Sequence, residues 1–232
     1  MAQSRPSAAP VAVHPVAVRP GGRTAAVRKA VLTATEDALI EHGFAGIDLP
    51  SIARSAGVGK TTIYRRWGTP QALVADLLDD MATASVSATR TGDLDADLSA
   101  NAELVVRTLT HPRQGPLFAA LIAAATHDQD TKTALGKFYR RRVEEWSLPI
   151  LDAIDRGDVP ANTDATAVIR HLSSPLYYQL LTTTTPLDDS AAELAVHTTL
   201  AALHAHCFTR SGVAPTSPAA ATTPPASEAM ER

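Results

Sequence analysis

The stretch SAGVGKTTIYRRWG, residues 55–68, concentrates side chains that could do chemistry. Gly59-Lys60-Thr61 has the residue types that end a phosphate-binding loop. In such a loop glycines let backbone N–H groups wrap around an anion, while a lysine and a hydroxyl meet its oxygens. The loop needs its first glycine at position 54, which is Arg54, and it needs a buried strand before it. The preceding Ile52-Ala53-Arg54-Ser55-Ala56 has no β-branched run and consists of good helix formers. A nucleotide hydrolase built on this loop is therefore the weaker reading. The stronger one makes Lys60–Trp67 a short basic helix.

At 100° per residue, Ile63 and Trp67 fall together as a buried edge of that helix. Thr61, Thr62 and Arg65 fall opposite, flanked by Tyr64 and Arg66. Hydroxyls, a phenol and cations on one face suit base edges and phosphates in a major groove. A solvated basic face with two core anchors is the plain alternative for such a charge run. The neighbouring elements decide against it. Asp48 is an N-cap and Pro50 a first-turn residue for a helix ending near Ala56, with Ile52 and Ala53 facing its core. Gly57 breaks that helix, and the basic helix follows within three residues. Two short helices joined by a glycine turn, the second basic, form a helix-turn-helix over residues 48–67.

Charge is distributed to match. The chain carries a net −3, yet residues 1–70 hold nine Lys and Arg against four Asp and Glu. The remaining residues hold twelve against twenty. A basic first third beside an acidic body implies one module that meets an anion and one that does not. The single Cys207 has no internal disulfide partner, no apolar run is long enough to span a bilayer, and the proline-broken N-terminus is no secretory signal. A cytoplasmic location is expected.

The Ala-rich composition, with 4% aromatics, favours an all-α fold of about nine helices. Residues 1–22 and 211–232 are Pro-rich and expected to be disordered. Residues 23–69 form the expected helix-turn-helix domain and 70–210 a helical ligand-binding and dimerisation domain. In the first, a helix over residues 24–42 precedes the two short ones. Thr69-Pro70 then starts a helix over about 70–89. Further helices are expected near 94–110, 114–126, 128–156, 164–184 and 188–209, with kinks at Pro149 and Pro175.

Within this body Phe118, Leu121, Ile122, Tyr139, Trp146 and Tyr177, with Leu176 and Gln179, mix large apolar groups with polar tips and could line a pocket for a small apolar effector. Ordinary core packing is the alternative for each one singly. The Arg140-Arg141-Arg142 run reads as solvated and paired with Glu144 and Glu145. His197, His204, His206 and Cys207 invite a metal reading. The i, i+7 spacing of His197 and His204 holds their rings about 10 Å apart, too far for one ion. Interface polar residues are the plainer assignment, and no metal or other cofactor is expected. The sequence offers no nucleophile–base pair and no Glu-x-x-His pattern, so no enzyme is expected either.

From about Arg23 to Leu78, and above all in IARSAGVGKTTIYRRW, the chain resembles the tetracycline-repressor (TetR) family of bacterial transcriptional regulators. The resemblance implies a homodimer, paired through the last two helices (about 164–184 and 188–209). It implies binding to a palindromic double-stranded operator, most often as a repressor, and response to a small molecule. It implies that Lys60, Thr61, Thr62 and Tyr64 meet bases and phosphates. Arg65 and Arg66 stand where the family often has an aromatic or His and then a His. Gly59 replaces a frequent Ser, Asp48-Leu49-Pro50 lacks the usual Thr with Arg or Glu, and Pro70 replaces a Lys. The Thr69 cap, with free helix N–H groups, could then supply the missing phosphate contact. These departures leave open a ligand-binding helical dimer without DNA readout.

Overall fold

The computed structural model describes residues 20–210, which form ten α-helices and one 3-10 turn. The two segments expected to be disordered lie outside the described residues, except that Pro20 already begins the first helix. In chain order these are α1 (Pro20–His42), the 3-10 turn Phe44–Gly46, α2 (Leu49–Ser55), α3 (Lys60–Arg66) and α4 (Pro70–Thr83). Then come α5 (Leu94–Thr110), α6 (Gln114–Ala125), α7 (Gln129–Trp146), α8 (Leu148–Arg156), α9 (Ala165–Thr182) and α10 (Asp189–His204).

The cap chemistry explains most of these starts. Asp48, Thr69, Asp93, Asp128, Asp164 and Asp188 each stand before a helix and accept a hydrogen bond from its first-turn N–H groups. Two sequence expectations fail. The helix expected over 128–156 is two helices, α7 and α8. Ser147 ends the first by donating its hydroxyl to Val143 O at 2.6 Å, and Pro149 occupies the first turn of the second, where a missing N–H is harmless. Helix α4 stops at Thr83 instead of 89. The segment after it is held by long-range contacts: Ala88 N donates to Glu145 Oε1 at 3.2 Å, and Arg142 donates to Ser85. Tertiary partners thus outcompete local helix propensity there.

Helices α1, α2 and α3 form a head, with Val31, Leu39, Ile52 and Ile63 fully buried between them. Helices α5 to α10 form a body, in which α5 packs on α10, α6 and α9. Helix α4 belongs to both, because it packs on α1 and on α7. Helix α1 also reaches the body through α6. Ionic contacts mark the seam. Arg113 on the loop before α6 pairs with Glu36 and Asp37 of α1, and Lys137 of α7 pairs with Asp79 of α4. Gln71 of α4 donates to Asp128, the cap of α7, at 2.9 Å.

Candidate nucleic-acid interface and ligand cavity

The short α3 is held by what lies beneath and beside it. Ile63 is fully buried, Trp67 is nearly so, and both face the core that Ile52 and Ala53 of α2 complete. Between α2 and α3, Gly57 adopts φ +65°, the left-handed conformation that reverses the chain at little strain only for glycine. Gly59 caps α3 through its carbonyl alone, which accepts from Thr62 N at 2.9 Å; no side chain caps this end.

The C-terminal end of α3 is fastened by a carboxylate. Trp67 Nε1 donates to Asp76 Oδ2 at 2.9 Å, and Arg28 of α1 donates to the same carboxylate at 2.8 Å from its terminal nitrogen. Arg28 also pairs with Asp80. One carboxylate of α4 thereby ties α1 to the end of the basic helix. Partial burial of Asp76 works against its charge, but the bonds from Arg28 and Trp67 prevail and hold its pKa below the ordinary carboxylate value. Neither Arg28 nor Asp76 carries a sequence signal for this role, since their contact spans forty-eight positions.

The outer face of α3 presents Lys60, Thr61, Tyr64 and Arg65 to solvent, with Tyr64 51% exposed. Two residues expected on or beside that face have further contacts, and Arg66 is exposed as expected. Thr62 is half-buried, and Arg66 lies over the Trp67 ring at 4.9 Å from its centroid, where it also stabilises the Asp76 charge. Thr69 is exposed, and its hydroxyl oxygen accepts from Ala72 N at 3.2 Å as the cap of α4. Gly59 follows a helix and a turn, not a strand, so the Gly-Lys-Thr segment has none of the setting of a phosphate loop.

The body encloses a cavity of about 480 Å³. Phe118, Tyr139, Trp146 and Tyr177 line it, as the sequence leads one to expect. Leu121 does not: it is fully buried in the core behind the wall. Ile122 lines a second, more open cavity that shares Tyr139, Val143, Ser173 and Tyr177 with the first. The aromatic wall is continuous, with Tyr139 and Tyr177 edge to face at 5.6 Å and Phe118 against Phe138 at 5.8 Å.

Residues that the sequence reading passed over complete the lining. Leu32 and Glu36 of α1 and Leu77 and Met81 of α4 form the side toward the head. Asn101 of α5 and Arg142 of α7 add polar groups. The expected solvated pairing of the arginine run with Glu144 and Glu145 fails for Arg142. It turns inward to lie over the Trp146 ring at 5.7 Å, it forms no ion pair among the described residues, and burial works against its charge. A signal existed: Phe138, Tyr139, Arg142, Val143 and Trp146 fall at the three-to-four spacing of one helix face. His197 and His204 are exposed, and no cluster of three metal-ligating side chains occurs among the described residues.

A helix-turn-helix head fused to a helical body with an aromatic-walled cavity defines the class, a DNA-binding protein with a separate helical domain. Comparison with known proteins fixes the family. Residues 31–77 match the model "Bacterial regulatory proteins, tetR family", and residues 88–199 match "Tetracyclin repressor-like, C-terminal domain". The HTH-type transcriptional regulator YdeS of Bacillus subtilis (strain 168) is 31% identical over 170 residues, covering 72% of this chain and 85% of that one. The DNA-binding transcriptional repressor TetR of Mycobacteroides abscessus is 29% identical over 167 residues, covering 69% and 85%. Among solved structures, the TetR family transcription regulator SCO0332 superposes with a TM-score of 0.61 at 28% identity, over 75% of this chain and 97% of that one. The repressor MexZ of Pseudomonas aeruginosa shares the fold, with a TM-score of 0.59 at 19% identity over 80% and 98%. The chain belongs to the TetR family of bacterial transcriptional regulators, which are DNA-binding proteins and not enzymes.

Proposed function

We propose that this regulator is a repressor that binds a palindromic operator as a homodimer and releases it when a small molecule enters the body cavity. The observation that carries the reading is the double use of α1 and α4. The same two helices buttress α3 through Arg28 and Asp76 and supply the cavity wall through Leu32, Glu36, Leu77 and Met81. A ligand that favours one placement of these helices changes where α3 lies. It can alter operator affinity only by its differential affinity for the two placements, typically about 1–3 kcal/mol for such coupling.

Dimerisation through α9 and α10 is supported by their outer faces. Tyr178, Leu181 and Leu194 are large apolar side chains left 67%, 44% and 64% exposed. Such a patch is covered by a partner more often than by water. Two α3 helices must then enter grooves about 34 Å apart.

On α3, Arg65 is assigned to a base edge and Lys60 to phosphate, with Thr61, Thr62, Tyr64, Arg66 and the Thr69 end of α4 contributing to the same surface. The test is selection of bound duplex from a random pool, followed by titration of Arg65→Ala and Lys60→Ala. Arg65→Ala should relax sequence preference, by roughly 1–3 kcal/mol at one position. Lys60→Ala should weaken all duplexes alike and lower the salt slope by about one. Selection of no duplex, or equal effects of the two changes on selected and random DNA, contradicts the assignment.

A further inference from the structure

The lining of the cavity is unbalanced in a way that specifies what it accepts. Trp146 and Asn101 are each 4% exposed, yet Trp146 Nε1 and Asn101 Nδ2 have no hydrogen-bond partner among the described residues. The Tyr139 hydroxyl has only the Tyr177 hydroxyl beside it. Buried polar atoms are nearly always satisfied in folded proteins, so two orphan donors around one void point to an absent acceptor. Indole Nε1 can only donate.

The charges lean the same way. Glu36 and Asp80, which line the cavity, are each held by an arginine, Arg113 and Arg28. Arg142 has no such partner; its guanidinium donates to Ser85 and to Val86 O, and lies over the Trp146 ring. The more open cavity that shares the Tyr139 and Tyr177 wall is lined by Lys132, Arg140 and Arg170 and by no carboxylate. None of these three forms an ion pair among the described residues. In a body with a net negative charge, this second cavity attracts anions, and the neighbouring one across the shared wall holds free donors.

We infer that the ligand is an organic acid with an aromatic or apolar body, its anionic group held by Arg142 and Trp146 Nε1 and its ring system packed on Phe118, Phe138 and Tyr177. The inference rests on the reading that this cavity takes the effector, and it adds the chemical class. A cavity of about 480 Å³ accommodates a bicyclic or short biaryl acid. Lys132, Arg140 and Arg170 on the far side of the shared wall add an attraction for the anion that salt screens.

The experiment titrates the full chain calorimetrically with benzoate, 2-naphthoate and biphenyl-4-carboxylate, each beside the methyl ketone of the same ring system. At least one carboxylate should bind tenfold or more tighter than its ketone. Arg142→Gln should erase that preference, leaving ketone binding within about twofold. Trp146→Phe, which keeps a ring but no donor, should reduce it several-fold and serves if Arg142→Gln does not fold. Ketones that bind as well as or better than the acids overturn the inference, and so does a series in which no carboxylate binds. Operator release is measured separately with every compound that binds. A ketone that releases DNA leaves the proposed function standing while the acid class falls. An Arg142-dependent acid that leaves DNA affinity unchanged does the reverse.

Discussion

The chain has two tryptophans, and each sits beneath an arginine. Arg66 lies over Trp67 in the head and Arg142 over Trp146 in the body. Both rings are buried, at 9% and 4% exposure. They differ at one atom. Trp67 Nε1 is bonded to Asp76, whereas Trp146 Nε1 has no partner among the described residues. The head is a closed structure whose polar groups are spent on holding α3 in place. The body keeps donors in reserve around a void. The unsatisfied buried side-chain atoms of Asn101, Thr131 and Trp146, among the described residues, all belong to the body. A region that must present one rigid face completes its hydrogen bonds. A region that must accept a guest leaves some for it.

The largest effect expected from breaking this contrast comes from Asp76→Ala. It strands the Trp67 N–H and Arg28 at once, and should destabilise the protein by about 2–4 kcal/mol in denaturant unfolding. Operator affinity should fall although no surface cation is touched. The same carboxylate sets a pH dependence. Its folded pKa lies below the unfolded value of about 3.9, so its contribution is fully present above that value and lost as pH falls through the folded pKa. Wild-type unfolding free energy should decline on acidification more steeply than that of Asp76→Ala; parallel curves would contradict the assignment.

A paired substitution sharpens the comparison directly. Trp67→Phe and Trp146→Phe remove the same atoms from two buried rings. Without ligand, the first should cost about 1–2 kcal/mol more than the second, because only the first breaks a hydrogen bond to a charged, partly buried acceptor. Equal losses would mean that Trp146 Nε1 is satisfied after all.

Much of the head was legible in the sequence and less of the body, for reasons visible in particular residues. Helices α2 and α3 are written locally, by Asp48, Pro50, Gly57 and the Ile63–Trp67 spacing, and α5 lies where its Asp93 cap and the His111-Pro112 break put it. The end of α4 and the α7–α8 break depend on Arg142, Glu145 and Ser147, whose partners are long-range or stop a helix without a glycine. The aromatic residues of the cavity could be named from the sequence. Which of them face a void could not, because Leu121 and Ile122 share the apolar pattern of Phe118 and differ only in what α7 and α9 place against them. The spacing puts Arg142 on one face with Phe138 and Trp146, but only the packing of α7 on α4 and α6 shows that this face looks into a void.

The smallest effect belongs to the head. Gly59 has φ −68° and ψ 139°, the extended conformation of an N-cap, and a Cβ there would meet nothing closer than Thr62 Oγ1 at 3.9 Å. Gly59→Ser should therefore add a side-chain cap to α3 and stabilise the protein by a few tenths of a kcal/mol, read as a small rise in unfolding midpoint. A loss of stability would show that the start of α3 is not the free cap described.

The coupling between the two regions is tested most directly by a pair of titrations: selected operator with and without the acid that binds the cavity, and that acid with and without operator. Linkage requires the two affinities to change by the same factor, and the shared use of α1 and α4 predicts a weakening of about 5–150-fold in both. An acid that fills the cavity and leaves operator affinity unchanged would contradict the account.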